Sequence, residues 1–174
     1  MNRKRYEATV RFFSENKTAY RLLWIIYRVL PYILLFSYPA LIVAEFFIMG
    51  VTGTWANLII LPFAVLTAVT LLRFMIREQR PYEKYGMNSV FRKTTVGKSM
   101  PSRHTASAFI IAMTFLYVNL PLGIIAMTFA VLIGASRVLA GAHIIRDVIV
   151  GALVGIIAGL PYFLGIAVTQ MKMP

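Results

Sequence analysis

The sequence predicts an all-α membrane protein, a bundle of about five transmembrane helices with six as the alternative count. Hydrophobic residues fill 59% of the 174 positions and charged residues only 14%, and the mean hydropathy is +0.75. A soluble domain of this length could not bury so much apolar surface. Several apolar runs also approach the roughly 20 residues that cross a bilayer as a helix. No stretch has the alternating pattern of a membrane barrel.

Five apolar segments are the predicted spans. In chain order they cover residues 32–49, 57–72, 105–118, 122–135 and 148–168, and the third is short enough to extend at either end. In the last segment Gly151, Gly155 and Gly159 recur every four residues, a spacing that allows two helices to pack closely. We expect residues 1–28 to form a basic segment along the membrane interface. Residues 29–174 are then expected to form a single transmembrane domain.

The basic residues are concentrated on one side of the predicted bundle. The N-terminal tail and the loops at residues 73–104 and 137–147 contain every lysine and arginine except Lys172. The net charge of +12 is therefore attributed to contacts with anionic lipid headgroups rather than with nucleic acid. We expect membrane lipids as partners and no nucleic acid. The oligomeric state stays open.

The first cluster of polar residues follows the second predicted span. Arg73, Arg77 and Arg80 recur at intervals of four and three, which predicts that they share one helical face. Three like charges on one face repel one another, so an anion bound nearby would relieve them. Arginine also matches phosphate oxygens in a bidentate way. The alternative is that these side chains reach lipid headgroups at the helix end.

The second cluster precedes the third span and reads Pro101, Ser102, Arg103, His104. Ser102, or Ser99 before it, suits a helix cap, and Pro101 suits a first helical turn. The start of a helix directs free N–H groups and positive potential outward, which attracts anions. A histidine near a membrane interface also often has only a structural role. Taken alone, this cluster is a weak indication of function.

The third cluster lies at the start of the last span. His143 and Asp147 are four residues apart, which predicts that they share a helical face. A carboxylate bonded to one imidazole nitrogen fixes the tautomer and makes the other nitrogen a better nucleophile or base. Arg137 and Arg146 add positive charge nearby. The alternative is a pair that only stabilises the helix, by about 0.2–0.5 kcal/mol.

Together the clusters predict phosphoryl chemistry without a metal. Phosphate-ester hydrolysis needs a nucleophile, an acid for the leaving oxygen and dense positive charge around the phosphoryl group. The chain supplies two histidines, one aspartate and several arginines in these clusters. Two histidines and one aspartate are too few and wrongly spaced for a metal site. The absence of cysteine excludes thiolate metal sites and a cysteine nucleophile.

These three stretches resemble the signature of the type 2 phosphatidic acid phosphatase family, integral-membrane lipid phosphatases related to the vanadium haloperoxidases. The family pattern is K-x6-RP, then PSGH, then SR-x5-H-x3-D. The chain has Arg73-x6-Arg80-Pro81, then PSRH at 101–104, then SR-x5-H-x3-D at 136–147. The third motif matches at every fixed position. In the other two, Arg73 replaces a lysine and Arg103 replaces a glycine.

The resemblance implies an integral-membrane phosphatase that hydrolyses a lipid phosphate or pyrophosphate through a phosphohistidine, without a cofactor or metal. Polyprenyl pyrophosphate, phosphatidylglycerol phosphate and phosphatidate are the expected substrates. By the same resemblance His143 attacks phosphorus, Asp147 orients it and His104 protonates the departing oxygen. The expected phosphate ligands are Arg73, Arg80, Ser102, Arg103 (through its backbone N–H or its side chain) and Arg137.

Two further functions and the membrane side stay open at this point. A phosphotransferase would pass the phosphoryl group to an acceptor other than water. A non-catalytic lipid-binding or channel protein would use the charges only for anchoring or gating. We expect a multi-pass protein of the cell membrane. The basic loops favour a cytoplasmic site, whereas many bacterial members of the family present the site outward.

Overall fold

The structure, a computed structural model, describes residues 3–49 and 53–164. Within these ranges the regular elements are all helical, and no strand occurs. The helices are α1 (Arg3–Glu15), α2 (Lys17–Trp24), α3 (Leu30–Met49), α4 (Gly53–Ile76), α5 (Pro81–Tyr85), α6 (Arg103–Val118), α7 (Leu120–Leu139) and α8 (Ile145–Phe163). A π-helical turn, Ile25–Val29, joins α2 to α3.

The prediction of an all-α membrane bundle is confirmed. Four helical stretches are long and apolar enough to cross a membrane, namely Lys17–Ile48, Asn57–Tyr85, Leu120–Leu139 and Ile145–Phe163. The first four predicted segments lie in helices; the last lies in a helix up to Phe163, Leu164 follows in a turn, and residues 165–168 lie outside the described residues. Large apolar side chains such as Phe47 and Met75 are about four-fifths exposed, as expected of a surface that lipid covers. The protein is a multi-pass membrane protein.

Helix α6 lies at the centre of the bundle. It has only 16 residues, but ten of them between Thr105 and Phe115 are buried. One side, with Phe109 and Ala112, packs with residues of α3 and α7. Another side, with Ile110 and Met113, packs with residues of α4 and α8. Because helices on several sides hold α6, its N-terminal end has a fixed position in the bundle.

The glycines of α8 face α6, which confirms the predicted close packing. A Cβ atom on Gly151 would lie 2.7 Å from the carbonyl oxygen of Ser102. One on Gly155 would lie 2.7 Å from the carbonyl oxygen of Ala106. These oxygens belong to the backbone of α6 and its N-cap, so they cannot turn away as a side chain would. The two helices therefore approach as closely as glycine alone permits.

The N-terminal helix packs against the end of the bundle that holds the polar clusters. Tyr6 of α1 is fully buried, and its hydroxyl donates to the carbonyl oxygen of Gly141 at 3.3 Å. The chain is then helical from Lys17 to Met49, because the π-helical turn continues into α3. The interfacial role of residues 1–28 and the domain boundary at residue 29 stay predictions.

Replacing Gly155 with alanine should destabilise the bundle. The added methyl group must push α8 away from the α6 backbone, and overpacking of this kind costs about 1–3 kcal/mol. We expect a lower thermal unfolding midpoint for G155A in detergent. The control is I157A, because Ile157 is 61% exposed on the outer surface and its loss should have little effect. Equal midpoints for G155A and the wild type would contradict the close packing.

Candidate active site

Three segments that are distant in sequence meet at one end of the bundle. The backbone N–H of Ser102, just before α6, donates to the carbonyl oxygen of Asp147 in α8 at 2.9 Å. The N–H of Ser99 donates to the carbonyl oxygen of Glu78, in the loop after α4, at 2.9 Å. Arg146 forms an ion pair with the same Glu78. The three predicted clusters are therefore neighbours in space.

His143 and Asp147 form a buried pair, but not across a helical face as the spacing predicted. Helix α8 begins at Ile145, so His143 lies in the preceding turn. Asp147 is in the first turn of α8, and its Oδ2 lies 3.4 Å from Nδ1 of His143. The same oxygen accepts a hydrogen bond from the backbone N–H of Ile144 at 3.4 Å. The two side chains are 2% and 0% exposed. The prediction of a contact is thus right and its stated reason wrong.

Ser99 completes this group and is absent from the predicted site. Its hydroxyl is buried and donates to Oδ2 of Asp147 at 2.5 Å, and it lies 3.4 Å from Nδ1 of His143. From the sequence, Ser99 is expected only as a helix cap. The sequence feature that could have placed Ser99 in the site is its position two residues before Pro101, at the edge of the second cluster. Among the residues of the structure's described ranges, Oδ1 of Asp147 has no hydrogen-bond partner.

The surroundings of His143 keep its imidazole neutral. Burial lowers the pKa of His143 to about 4; the hydrogen bond to Asp147 opposes this shift, and the charges of Arg80 and Arg73 add to it. A neutral imidazole carries one proton. Because a carboxylate only accepts hydrogen bonds, that proton belongs on Nδ1. The lone pair on Nε2 is then available to attack an electrophile.

Arg73 and Arg80 hold the loops around this group. Nη1 of Arg73 donates to the carbonyl oxygen of Pro101 at 3.2 Å. Arg80 donates to the carbonyl oxygens of Gly97, at 3.2 Å, and Ala142, at 3.5 Å. Arg80 is 7% exposed. Each guanidinium has five N–H donors, so each retains donors for a bound anion.

The predicted helical face formed by Arg73, Arg77 and Arg80 is not present. Helix α4 ends at Ile76, and Arg77 has a positive φ of 48°. The exposed side chain of Arg77 donates back to the carbonyl oxygen of Phe74. Arg80 then begins α5 as its N-cap residue. Because the helix ends before Arg77, no single helical face holds the three arginines.

Arg137 is fixed by the N-terminal part of the chain. Its Nη2 donates to the carbonyl oxygen of Tyr27 at 3.0 Å, and its guanidinium lies 3.9 Å from the centre of the Tyr27 ring. Tyr27 belongs to the π-helical turn, a distortion that often occurs at functional sites. No sequence motif indicated Tyr27. Arg137 is 3% exposed, and its Nε has no partner among the described residues.

Ser102 lies at the helix start but is not open to a ligand. It is fully buried, its N–H is bonded to Asp147, and its Oγ accepts from the hydroxyl of Thr105 at 2.9 Å. Its own hydroxyl proton is the group left to donate. The N–H of Ser102 and one acceptor position of its hydroxyl are thus already occupied by contacts within the protein.

Arg103 and His104 lie in a cavity of about 430 Å³ between α3, α6 and α7. Both side chains are exposed to it, whereas His143 is not among the residues that line it. The surrounding protein, and after it the charges of Arg137 and Arg103, lower the pKa of His104 far below its usual range. The charge of His143 is a smaller cause of the same lowering.

This arrangement suits a covalent displacement at phosphorus. A neutral, carboxylate-bonded imidazole lies beside several guanidinium groups, and a second imidazole opens into a cavity. Positive charge of this density stabilises the charge that a transferring phosphoryl group carries. In residues 3–49 and 53–164, no three histidine, aspartate or glutamate side chains come together as a metal site would require.

Two comparisons with known proteins give the family of the chain and a similar fold. The model of the PAP2 superfamily matches residues 57–170. A similar solved structure is the crystal structure of the first transmembrane PAP2 type phosphatidylglycerolphosphate phosphatase from Bacillus subtilis. It superposes with a TM-score of 0.66 at 20% sequence identity, over 97% of this chain and 88% of that chain. At this identity the likeness establishes a shared fold.

The lowered pKa of His143 can be measured directly, because the chain has only two histidines. In the variant H104Q the remaining imidazole signals in an NMR titration belong to His143. We expect this ring to stay neutral from pH 7 down to pH 5 and to take up a proton only near pH 4, since burial disfavours the charged form. A midpoint near the unperturbed value of about 6.5 would contradict the buried pair.

Proposed function

Because this chain belongs to the PAP2 superfamily, we propose that it is an integral-membrane phosphatase that hydrolyses a lipid phosphate or pyrophosphate. The observation that carries the proposal is the buried His143–Asp147 pair beside the guanidinium groups of Arg73 and Arg80. The site lies at one end of a membrane bundle, where a headgroup can enter from the interface while its tail stays in lipid. The similar Bacillus subtilis protein makes phosphatidylglycerol phosphate one substrate to test.

The reaction proceeds in two displacements. Nε2 of His143 attacks phosphorus, the bond to the leaving oxygen breaks, and His104 gives a proton to that oxygen. Asp147 holds the Nδ1 proton of His143 and stabilises the positive charge that develops on the ring. Water, deprotonated by His104, then attacks the phosphohistidine. Breakage of the N–P bond releases inorganic phosphate and restores His143.

The guanidinium groups bind the phosphoryl oxygens. Arg73, Arg80 and Arg137 are held by backbone carbonyls, so they are oriented before substrate arrives. Such preorganisation stabilises the transition state without a cost of reorganisation. Arg103, which stands where the family pattern has glycine, adds its side chain from the cavity. Ser102 contributes its hydroxyl or, through its buried contacts, the position of the helix start.

Bound substrate favours the protonated form of His104, which the first step needs. The surrounding protein and the charges of Arg137 and Arg103 lower the pKa of His104 in the free protein, whereas the first step needs a proton on this ring. A phosphate dianion bound beside the ring raises its pKa, because a nearby negative charge favours the protonated form. His104 is therefore charged when substrate is present, and the rate should be highest on the neutral-to-acid side.

Loss of His143 should abolish phosphate release. We expect H143Q to lower kcat by at least about 10³-fold, since the covalent nucleophile has no substitute. The assay is phosphate release from polyprenyl pyrophosphate, phosphatidylglycerol phosphate and phosphatidate in detergent. The control is K84Q, which removes an exposed cation outside the site. A chelator should leave the wild-type rate unchanged, since the proposed reaction uses no metal.

Three results would contradict parts of this proposal. Release by the wild type that is no greater than release by H143Q would favour a non-catalytic membrane protein. Transfer of ³²P from substrate to a lipid product, in place of free phosphate, would favour a phosphotransferase. Loss of activity on chelation would contradict metal independence. The proposed intermediate predicts a ³²P label on the wild-type protein that H143Q lacks.

We also propose the cell membrane as the location, with the site on the cytoplasmic face. Basic loops favour that face, and 13 basic residues remain on the site's side when Arg73, Arg80, Arg103 and Arg137 are set aside. The chain has no cysteine, so single cysteines report the topology. In intact cells an impermeant thiol reagent should label L120C, in the exposed turn opposite the site, and spare K84C. Labelling of K84C instead would place the site outside.

A further inference from the structure

The cavity that contains His104 is lined by both cationic and apolar side chains. Its cationic side chains are Arg28, Lys93, Arg103 and Arg137, and no acidic residue is among those that line it within the described chain. Its apolar wall includes Leu34, Leu35, Leu66, Ile111 and Ile133. Arg28 and Lys93 lie outside the three motifs that carry the family resemblance. The motif residues therefore do not account for all of the positive charge in this cavity.

Lys93 lies near the Tyr27 ring, and Arg28 is the neighbour of Tyr27 in the chain. Nζ of Lys93 lies 5.7 Å from the centre of the Tyr27 ring, the same ring that Arg137 contacts. Arg28 follows Tyr27 in the π-helical turn. In the described ranges of the chain, neither cation takes part in an ion pair. The repulsion among these cations favours an anion in the cavity.

The position of the two histidines indicates which part of a substrate enters this cavity. In a displacement at phosphorus the attacking and leaving atoms are roughly in line, on opposite sides of the phosphorus. His143 does not line the cavity, whereas His104 does. If His143 attacks and His104 protonates the leaving oxygen, the cavity receives the leaving group. The apolar wall then contacts the part of the lipid nearest the headgroup.

We propose that Arg28 and Lys93 bind a second phosphate group, carried by the leaving group, so that the enzyme prefers lipids with two phosphate groups to lipid monophosphates. This inference rests on the proposed function. The leaving group of a monophosphate such as phosphatidate is an uncharged alcohol, which has no negative charge for Arg28 and Lys93 to bind. A leaving group that is itself a phosphate ester compensates their charge with charge-assisted hydrogen bonds.

With a lipid pyrophosphate, one bond forms and one bond breaks at the terminal phosphorus. Nε2 of His143 bonds to the terminal phosphorus, and the bond from that phosphorus to the bridging oxygen breaks. The electron pair stays on the bridging oxygen, and a lipid monophosphate leaves. A phosphate oxygen of this kind has a pKa of about 6, so it departs with little help from a proton. An alkoxide is far more basic and needs the proton of His104.

The test compares three lipids with the same diacyl tail: diacylglycerol pyrophosphate, phosphatidylglycerol phosphate and phosphatidate. We expect the wild-type kcat/KM to be about tenfold or more higher for the lipids with two phosphates. The ratio of kcat/KM for a lipid with two phosphates to kcat/KM for phosphatidate should fall about tenfold in R28Q and in K93Q, because one charge-assisted contact to the second phosphate is lost. The matched controls R21Q and K84Q remove exposed cations outside the cavity and should leave the ratio unchanged.

The outcomes separate the two phosphate arrangements. If the ratio falls only for diacylglycerol pyrophosphate, Arg28 and Lys93 bind a second phosphate that is bonded directly to the first. If it falls for phosphatidylglycerol phosphate as well, they bind the second phosphate at either distance from the first. H104A should also lose less activity with the pyrophosphate than with phosphatidate. An unchanged ratio in R28Q and K93Q, or a wild type without preference, overturns the inference.

Binding distinguishes failure of this inference from failure of the proposed function. H143Q should bind diacylglycerol pyrophosphate more tightly than phosphatidate in a detergent titration, and addition of R28Q or K93Q should remove the difference. If this binding preference is found but the wild type releases no phosphate, the proposed phosphatase activity is refuted and the second-phosphate site stands. Equal binding of the two lipids by H143Q would overturn the site even if the wild type is an active phosphatase.

Discussion

The start of α8 packs directly against the start of α6, and the polar end of the bundle depends on this contact. Gly151 lies so close to the carbonyl oxygen of Ser102 that a side chain would not fit, and the N–H of Ser102 donates to the carbonyl oxygen of Asp147. This contact brings the Asp147 carboxylate to Ser99 and His143. A wider separation of the two helices would leave a buried carboxylate without its partners, which is strongly unfavourable in a low-dielectric interior.

Most of the charge around this contact has a structural partner. The guanidinium groups of Arg73 and Arg80 bond to carbonyl oxygens of the loops, and Arg137 rests on the carbonyl group and ring of Tyr27. A membrane bundle has to satisfy polar groups internally because lipid cannot. The same contacts fix the cations before a phosphate binds. Structural need and the proposed catalytic role therefore favour the same side chains.

The N-terminal segment contributes to the site even though it carries none of the three motifs. Tyr27 holds Arg137, Arg28 lines the cavity beside His104, and Tyr6 packs under Gly141. The family match begins only at residue 57. A change in this segment would therefore alter the lining of the cavity beside His104 and leave the contact between His143 and Asp147 in place.

The sequence by itself determined the five apolar helices, the fold class and the convergence of three polar clusters on one side of the bundle. Lipid imposes an apolar span on each crossing helix, so that information is local, and the glycine spacing of α8 is equally local. The tertiary structure alone decided how the site is built. Asp147 reaches His143 from the first turn of α8, Arg77 turns away where α4 ends, and Ser99 and Tyr27 join the group. These features depend on where helices end and on contacts between segments far apart in the chain, which no local pattern encodes.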